Sequence, residues 1–168
     1  MEERDMSQDW IVDLAGTLIS EIFYTMSKIS LWLIPEIPAL EALDAMDSVL
    51  GVASSEHCGM RMQIRSGYGL FERLARNMIG AEPENRQEVE EYATEMFNIV
   101  CGRFISELCV AMKCCGRFQP TTYEQAPNVT DLLGGSSNSI YFKSDEDEVA
   151  VFSWRMMTDD DKKEAVNA

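Results

Sequence analysis

Glu91, Glu95 and Asn98 follow one another at spacings of four and three residues, and Gly102 comes four further on. At about 100° per residue these positions fall in a stripe roughly 60° wide on one side of a helix. Val89, Ala93, Met96, Val100 and Phe104 centre about 180° away, on a dry face. The stripe thus carries two carboxylates able to pair with a cation and a carboxamide that donates and accepts hydrogen bonds without charge. A solvated polar face is the ordinary reading of such a stripe, but two residues argue for a contact site. Asn98 sits mid-helix, although Asn is a mediocre helix former that favours caps. Gly102 costs about 1 kcal/mol relative to alanine in a helix interior, which makes sense where another backbone or side chain must come close.

The other reactive residue types form no comparable pattern. The five cysteines, Cys58, Cys101, Cys109, Cys114 and Cys115, are odd in number, include one vicinal pair and lack the spacing of a disulfide framework. Cys101 and Cys109 lie on or beside the dry face of the same helix and read as small core residues. A zinc site would have to combine His57, the only histidine, with Cys58 and the distant Cys114 or Cys115. A single histidine without a Ser or Cys constellation around it also argues against a catalytic triad.

The helix that carries the stripe starts at Asn85, whose side chain can cap it, with Glu88 completing an Asn-x-x-Glu variant of the capping box, and it runs to about residue 112 or 113. A first helix is expected over residues 8–28, where Ile11, Leu14, Ala15, Leu18, Ile22 and Met26 recur at helical spacing. A turn is expected around 33–38, where two prolines restrict the chain, and 40–46 reads as a short helical turn or an irregular link.

Residues 48–53 read as a strand. Cys58, Met60, Met62 and Ile64 then alternate with Gly59, Arg61, Gln63 and Arg65, the period of a strand with one buried face. The short polar link 53–57 suits an antiparallel hairpin. A helix over 69–79 is expected from Phe71, Leu74, Ala75 and Met78, with Gly80 as its C-terminal cap. Residues 117–129 are expected to be part strand and part loop, and 132–138 a Gly/Ser-rich loop. A hairpin is expected from 139–143 and 148–156, turned at 144–147, followed by an acidic, frayed tail over 158–168. Hairpins rather than strand–helix–strand crossovers predict an α+β fold. Its mostly antiparallel sheet would pack against long helices, as a single domain over 1–157.

Composition sets the outer limits. At 168 residues, with 46% hydrophobic and 26% charged, the chain is sized for one well-buried core. Its net charge of −15 argues against nonspecific nucleic-acid binding and against docking on an anionic membrane. No stretch reaches the length of a membrane span, and the sequence from Met1 to Asp5 lacks the basic and apolar regions of a signal peptide, so a cytoplasmic location is expected.

The stretch from Gly69 to Gly102 resembles the chemotaxis phosphatase family of CheX, CheC and FliY, most closely its CheX-like branch. The family signature is an acid or serine, three intervening residues, Glu, two intervening residues, Asn, and a proline some twenty-odd residues on. Glu91, Glu95, Asn98 and Pro120 stand at these places. The run from Asn98 to Gly102 is similar to the family's Asn-Ile/Met-Val/Ile-x-Gly continuation, and Leu74 to Gly80 to its preceding helix and glycine stop. Glu91 replaces the usual Asp or Ser, the Asn-to-Pro spacing is one residue short, and Arg103 stands where Asn is frequent.

The resemblance implies a CheC/CheX-like fold with pseudo-two-fold halves, and hydrolysis of the aspartyl phosphate on a CheY-like response-regulator receiver domain. Asn98 would hold the attacking water through its carbonyl oxygen, and Glu95 would pair with the partner's lysine. Glu91 and Gly102 would belong to the docking face. The protein would carry no cofactor of its own, Mg²⁺ arriving with the phosphorylated partner. A homodimer joined through sheet edges is also implied. Some members carry a second motif on the first helix. Here that helix reads Glu21-Ile22-Phe23-Tyr24, with tyrosine at the amide position, so one motif per chain is expected. The main alternative is a non-catalytic module of the same fold that binds a receiver domain or another signalling protein. A small-ligand or metal-binding domain using His57 and the cysteines is a third.

Overall fold

In the computed structural model, residues 8–35, 45–55, 59–113, 116–126 and 138–157 are described. The expected tail at 158–168, most of the 40–46 link, His57, Cys58, Cys114, Cys115 and nearly all of the 132–138 loop lie outside them. Among the described residues three helices, α1 (Gln8–Ser27), α2 (Tyr68–Ile79) and α3 (Arg86–Met112), accompany seven strands. The strands are β1 (Leu31–Ile34), β2 (Asp47–Ser55), β3 (Gly59–Ser66), β4 (Gly116–Phe118), β5 (Thr122–Glu124), β6 (Asn138–Ser144) and β7 (Val149–Met156).

All the pairings are antiparallel, and the order is β1-β6-β7-β3-β2-β4, with β5 also pairing β2. The order is symmetric about the β7–β3 ladder. Each half of the chain contributes one central hairpin and lends its short strands to the far edge of the other half's hairpin. The α+β architecture expected from the hairpins is therefore observed.

One face of the sheet presents Val49, Ala53, Met60, Met62, Ile64, Phe142, Phe152 and Trp154 to the helices, all buried. On β3 and β6 these residues alternate with mostly polar ones, which selects that face. From α1 come Ala15, Leu18, Ile19, Ile22 and Phe23; from α3 come Val89, Ala93, Met96, Phe97, Val100 and Phe104. The dry stripe of α3 faces the core as its spacing requires. Each fully buried Phe or Leu contributes about 1.5–3 kcal/mol of transfer free energy.

The caps follow the sequence with one change. Asn85 Oδ1 accepts from Glu88 N–H (2.9 Å), but the Glu88 carboxylate reaches back to Glu84 N–H (2.7 Å), one residue earlier than a capping box prescribes. Gly80, at φ 79°, ends α2 and donates to the Arg76 carbonyl. The largest departure is β1. Residues 33 and 34 fall in the turn expected around 33–38 and 31–32 carry no assignment, yet all four pair with β6, from Leu31 opposite Ser144 to Ile34 opposite Tyr141. Four residues with Trp32 and Leu33 exposed carry too little alternation to announce a strand; the pairing comes from β6, more than a hundred residues away.

Candidate functional site

The site is built where α3 crosses the edge strand formed by β4 and β5. Helix α3 approaches β2 closely because position 51 has no side chain. A Cβ at Gly51 would lie 2.7 Å from Cys101 Sγ, 3.3 Å from the Phe97 ring and 3.4 Å from Thr121 Cγ2. Phe97 and Cys101 flank Asn98 on the helix, so this contact sets the height of Asn98 above the sheet edge. Burial pushes the Cys101 thiol up to about 12, and the side chain behaves as the small core residue its position suggested.

The edge strand is broken at Pro120. Phe118 pairs opposite Ala53, Gln119 N–H donates to the Val52 carbonyl (2.9 Å), and pairing resumes with Thr122 opposite Leu50. Pro120 has no N–H to offer the ladder, as an edge position permits. The next N–H, that of Thr121, turns away from the sheet and donates to Asn98 Oδ1 (2.9 Å). Thr121 Oγ1 donates to the Thr94 carbonyl (2.9 Å), and Thr121 itself is buried. A backbone N–H can only donate, so the atom facing it must be the amide oxygen, and the orientation of the Asn98 carboxamide is thereby fixed. One lone pair of Oδ1 is engaged within the chain. Among the described residues the second lone pair and the NH₂ group have no other partner.

Glu91 and Glu95 lie along the same helix face as Asn98, both exposed. Gln87 Nε2 donates to Glu91 (3.1 Å), whereas no cation pairs with Glu95 among the described residues. Gly102 does make room for a close approach, but the group that comes close belongs to this chain. A Cβ there would lie 3.1 Å from the Phe118 ring of β4. The ring occupies the place one turn beyond Asn98 and keeps 37% of its surface exposed, and Ile99 beside it keeps 39%. Phe118 and Thr121 were not legible as site residues. The one available signal was Pro120, because a proline in an edge strand releases the pairing around it.

A buried carboxylate fixes the far end of this edge. Asp47 accepts from Arg86 Nη2 (2.6 Å), from Tyr123 Oη and from Ala126 N–H (2.8 Å). Arg86 also lies over the Tyr68 ring, 4.2 Å from its centroid. Burial, with the hydrogen bond to Asp47 second, raises the Tyr123 phenol above its ordinary value. The start of α3, the start of β2 and β5 are tied in one knot.

On α1, at the place expected for a second motif, Glu21 pairs with Arg103 (3.2 Å) and Tyr24 is half-exposed with the Lys28 ammonium 5.2 Å from its ring centroid. Tyr24 is helix surface. Among the described residues no cluster of three His, Cys, Asp or Glu side chains could hold a metal ion, and no helix is long and apolar enough to cross a membrane. The residues named for a zinc site, His57, Cys58, Cys114 and Cys115, are outside the described residues.

No protein-family model and no curated protein matches the sequence significantly. Solved structures do match the fold. A chemotaxis protein CheX from Vibrio vulnificus superposes with a TM-score of 0.73 at 17% identity, covering 94% of this chain and 99% of that one. A CheX–CheY–BeF3–Mg²⁺ complex from Borrelia burgdorferi matches with a TM-score of 0.71 at 14% identity, covering 88% and 98%. FliY from Thermotoga maritima matches less well, with a TM-score of 0.58 at 15% identity over 98% and 94%. The chain therefore has the fold shared by CheX, CheC-like and FliY proteins, and the CheX match is the better of these. The resemblance seen in Glu95, Asn98 and Pro120 extends to the architecture that carries them.

Proposed function

We propose that the protein is a phosphatase for the aspartyl phosphate of a CheY-like receiver domain, acting through Asn98 and Glu95. The observation that carries the reading is an exposed carboxylate and a conformationally fixed carboxamide, one helical turn apart on the open face of α3. The likeness to a CheX solved with CheY and BeF3 supports the choice of partner. Trifluoroberyllate has the charge and tetrahedral shape of a phosphoryl group.

An acyl phosphate already has a good leaving group, and a receiver domain brings its own Mg²⁺ and lysine. What must be added is an oriented water in line with the scissile bond. The free lone pair of Asn98 Oδ1 accepts a hydrogen bond from that water and aims its oxygen at phosphorus. The water oxygen bonds to phosphorus as the bond from phosphorus to the aspartyl oxygen breaks, releasing carboxylate and inorganic phosphate. A carboxylate at position 98 would face the phosphoryl oxygens and be repelled. Glu95 pairs with the partner lysine and brings the amide into register. Glu91 lines the same approach. A homodimer paired along a sheet edge, as in the expectation from family resemblance, belongs to the same proposal.

The alternative is a receiver-binding module without hydrolysis, for which Glu91 in place of Asp or Ser is the specific argument. Loss of phosphate from a panel of phosphorylated receivers, followed with and without the protein, separates the two. A binder slows or leaves the loss unchanged, whereas a phosphatase accelerates it at sub-stoichiometric amounts.

A further inference from the structure

We infer that Thr121 is the positioning residue of Asn98; the catalytic part of this inference rests on the phosphatase reading above. Two hydrogen bonds carry it, and they converge on a single residue. Thr121 N–H holds Asn98 Oδ1 at 2.9 Å, and Thr121 Oγ1 holds the Thr94 carbonyl at 2.9 Å. In an α-helix the Thr94 carbonyl is the acceptor for the N–H of residue 98 itself. Thr121 thus grips Asn98 at its side chain and at the backbone hydrogen bond that fixes its Cα. A tie meant only to fasten the sheet edge to the helix would not need to engage both ends of one residue.

The geometry has a chain of causes in the sequence. Pro120 withdraws from the ladder, so the following N–H is free to leave the sheet. Gly51 admits Thr121 Cγ2 and the Cys101 side chain into the same space, which brings α3 within reach. The Thr121 methyl faces that contact while its hydroxyl faces the helix. Serine keeps the hydroxyl; valine keeps the shape and loses it. The consequence for chemistry is that the Asn98 amide cannot flip, and its free lone pair and NH₂ point in a fixed sense before any partner docks. A water-holding group gains rate from such preorganisation, since misplacement by about 1 Å costs up to about 10²-fold.

The test compares Thr121→Val and Thr121→Ser with wild type in two measurements. The first is steady-state dephosphorylation of a receiver by the full chain. The second is the ¹⁵N relaxation of the Asn98 side-chain amide by NMR, which needs no substrate. Thr121→Val keeps the N–H but loses the hydroxyl tie to the Thr94 carbonyl that holds this N–H against Oδ1. It is therefore expected to lower kcat about tenfold with KM unchanged and to increase the mobility of the Asn98 NH₂ group. Thr121→Ser is expected to restore both. A kcat within about twofold of wild type in Thr121→Val, or an Asn98 amide as ordered as in wild type, overturns the inference. If wild type accelerates no receiver, the phosphatase reading fails and the relaxation comparison alone decides whether Thr121 positions Asn98. A fall in kcat matched by an equal rise in KM would make Thr121 a docking residue and would also overturn it.

Discussion

Removing the Asn98 side chain takes away the water-holding lone pair and leaves the Thr121 N–H without its acceptor. The two effects are separable in size. Asn98→Ala should lower the dephosphorylation rate by about 10²–10³, the usual cost of losing one positioned polar group at a reacting centre. It should cost only about 1 kcal/mol of stability, measured by urea denaturation, because the lost hydrogen bond is partly buried. Gly102 yields a prediction of the opposite kind. Gly102→Ala gains about 1 kcal/mol of helix propensity, while its methyl meets the partly exposed Phe118 ring at 3.1 Å, where the ring is free to swing outward. The expected result is a melting temperature no lower than wild type together with a raised KM for the receiver, read by thermal melts and steady-state kinetics. The helix face that carries Glu95 and Asn98, and Gly102 as a point of close approach, were legible from spacing and helix propensity. That Phe118 is the group making the approach was not, because a contact between residues sixteen apart, one on α3 and the other on β4, leaves no local pattern.

The edge formed by β4 and β5 is held from both ends, by Thr121 on α3 and by Asp47 at the start of β2. Asp47→Ala strips Arg86, Tyr123 and Ala126 of their shared acceptor and should cost about 2–3 kcal/mol in urea denaturation, because hydrogen bonds to a charged group count for more than neutral ones. The contact at Gly51 has a pH signature. The Cys101 thiol has a folded pKa of about 12 against an ordinary 9.0, so the folded chain retains a proton that the unfolded chain gives up. Its contribution to stability is whole below pH 9 and is lost as pH rises from 9 towards 12. Melting temperature should fall over that window, and fall less steeply in Cys101→Ala. The long helices and the central hairpins were readable in the sequence because their apolar periods are long and unbroken. The short strand β1 was not, and within 117–129, expected to be part strand, the bounds of β4 and β5 were not, because three or four residues cannot show a period and their partners lie far along the chain.

At the scale of the whole molecule, the sheet order is symmetric about β7 and β3, and each half supplies one long helix, yet only one helix carries the acid–amide pair. On α1 the corresponding acid pairs with Arg103 and the amide position holds Tyr24, which is half-exposed. Tyr24→Ala should therefore leave the dephosphorylation rate within about twofold of wild type, a surface substitution with no buried contact to lose. One face of one long helix, carrying Glu91, Glu95, the anchored Asn98 and Gly102, makes the proposed active surface. The most direct test follows phosphate loss from small-molecule-phosphorylated receivers of the source organism, with wild type, Glu95→Ala and Asn98→Ala in parallel. The account predicts that at least one receiver loses phosphate faster with wild type than alone and that Asn98→Ala abolishes the acceleration. Acceleration that survives Asn98→Ala, or no acceleration of any receiver by wild type, would contradict it.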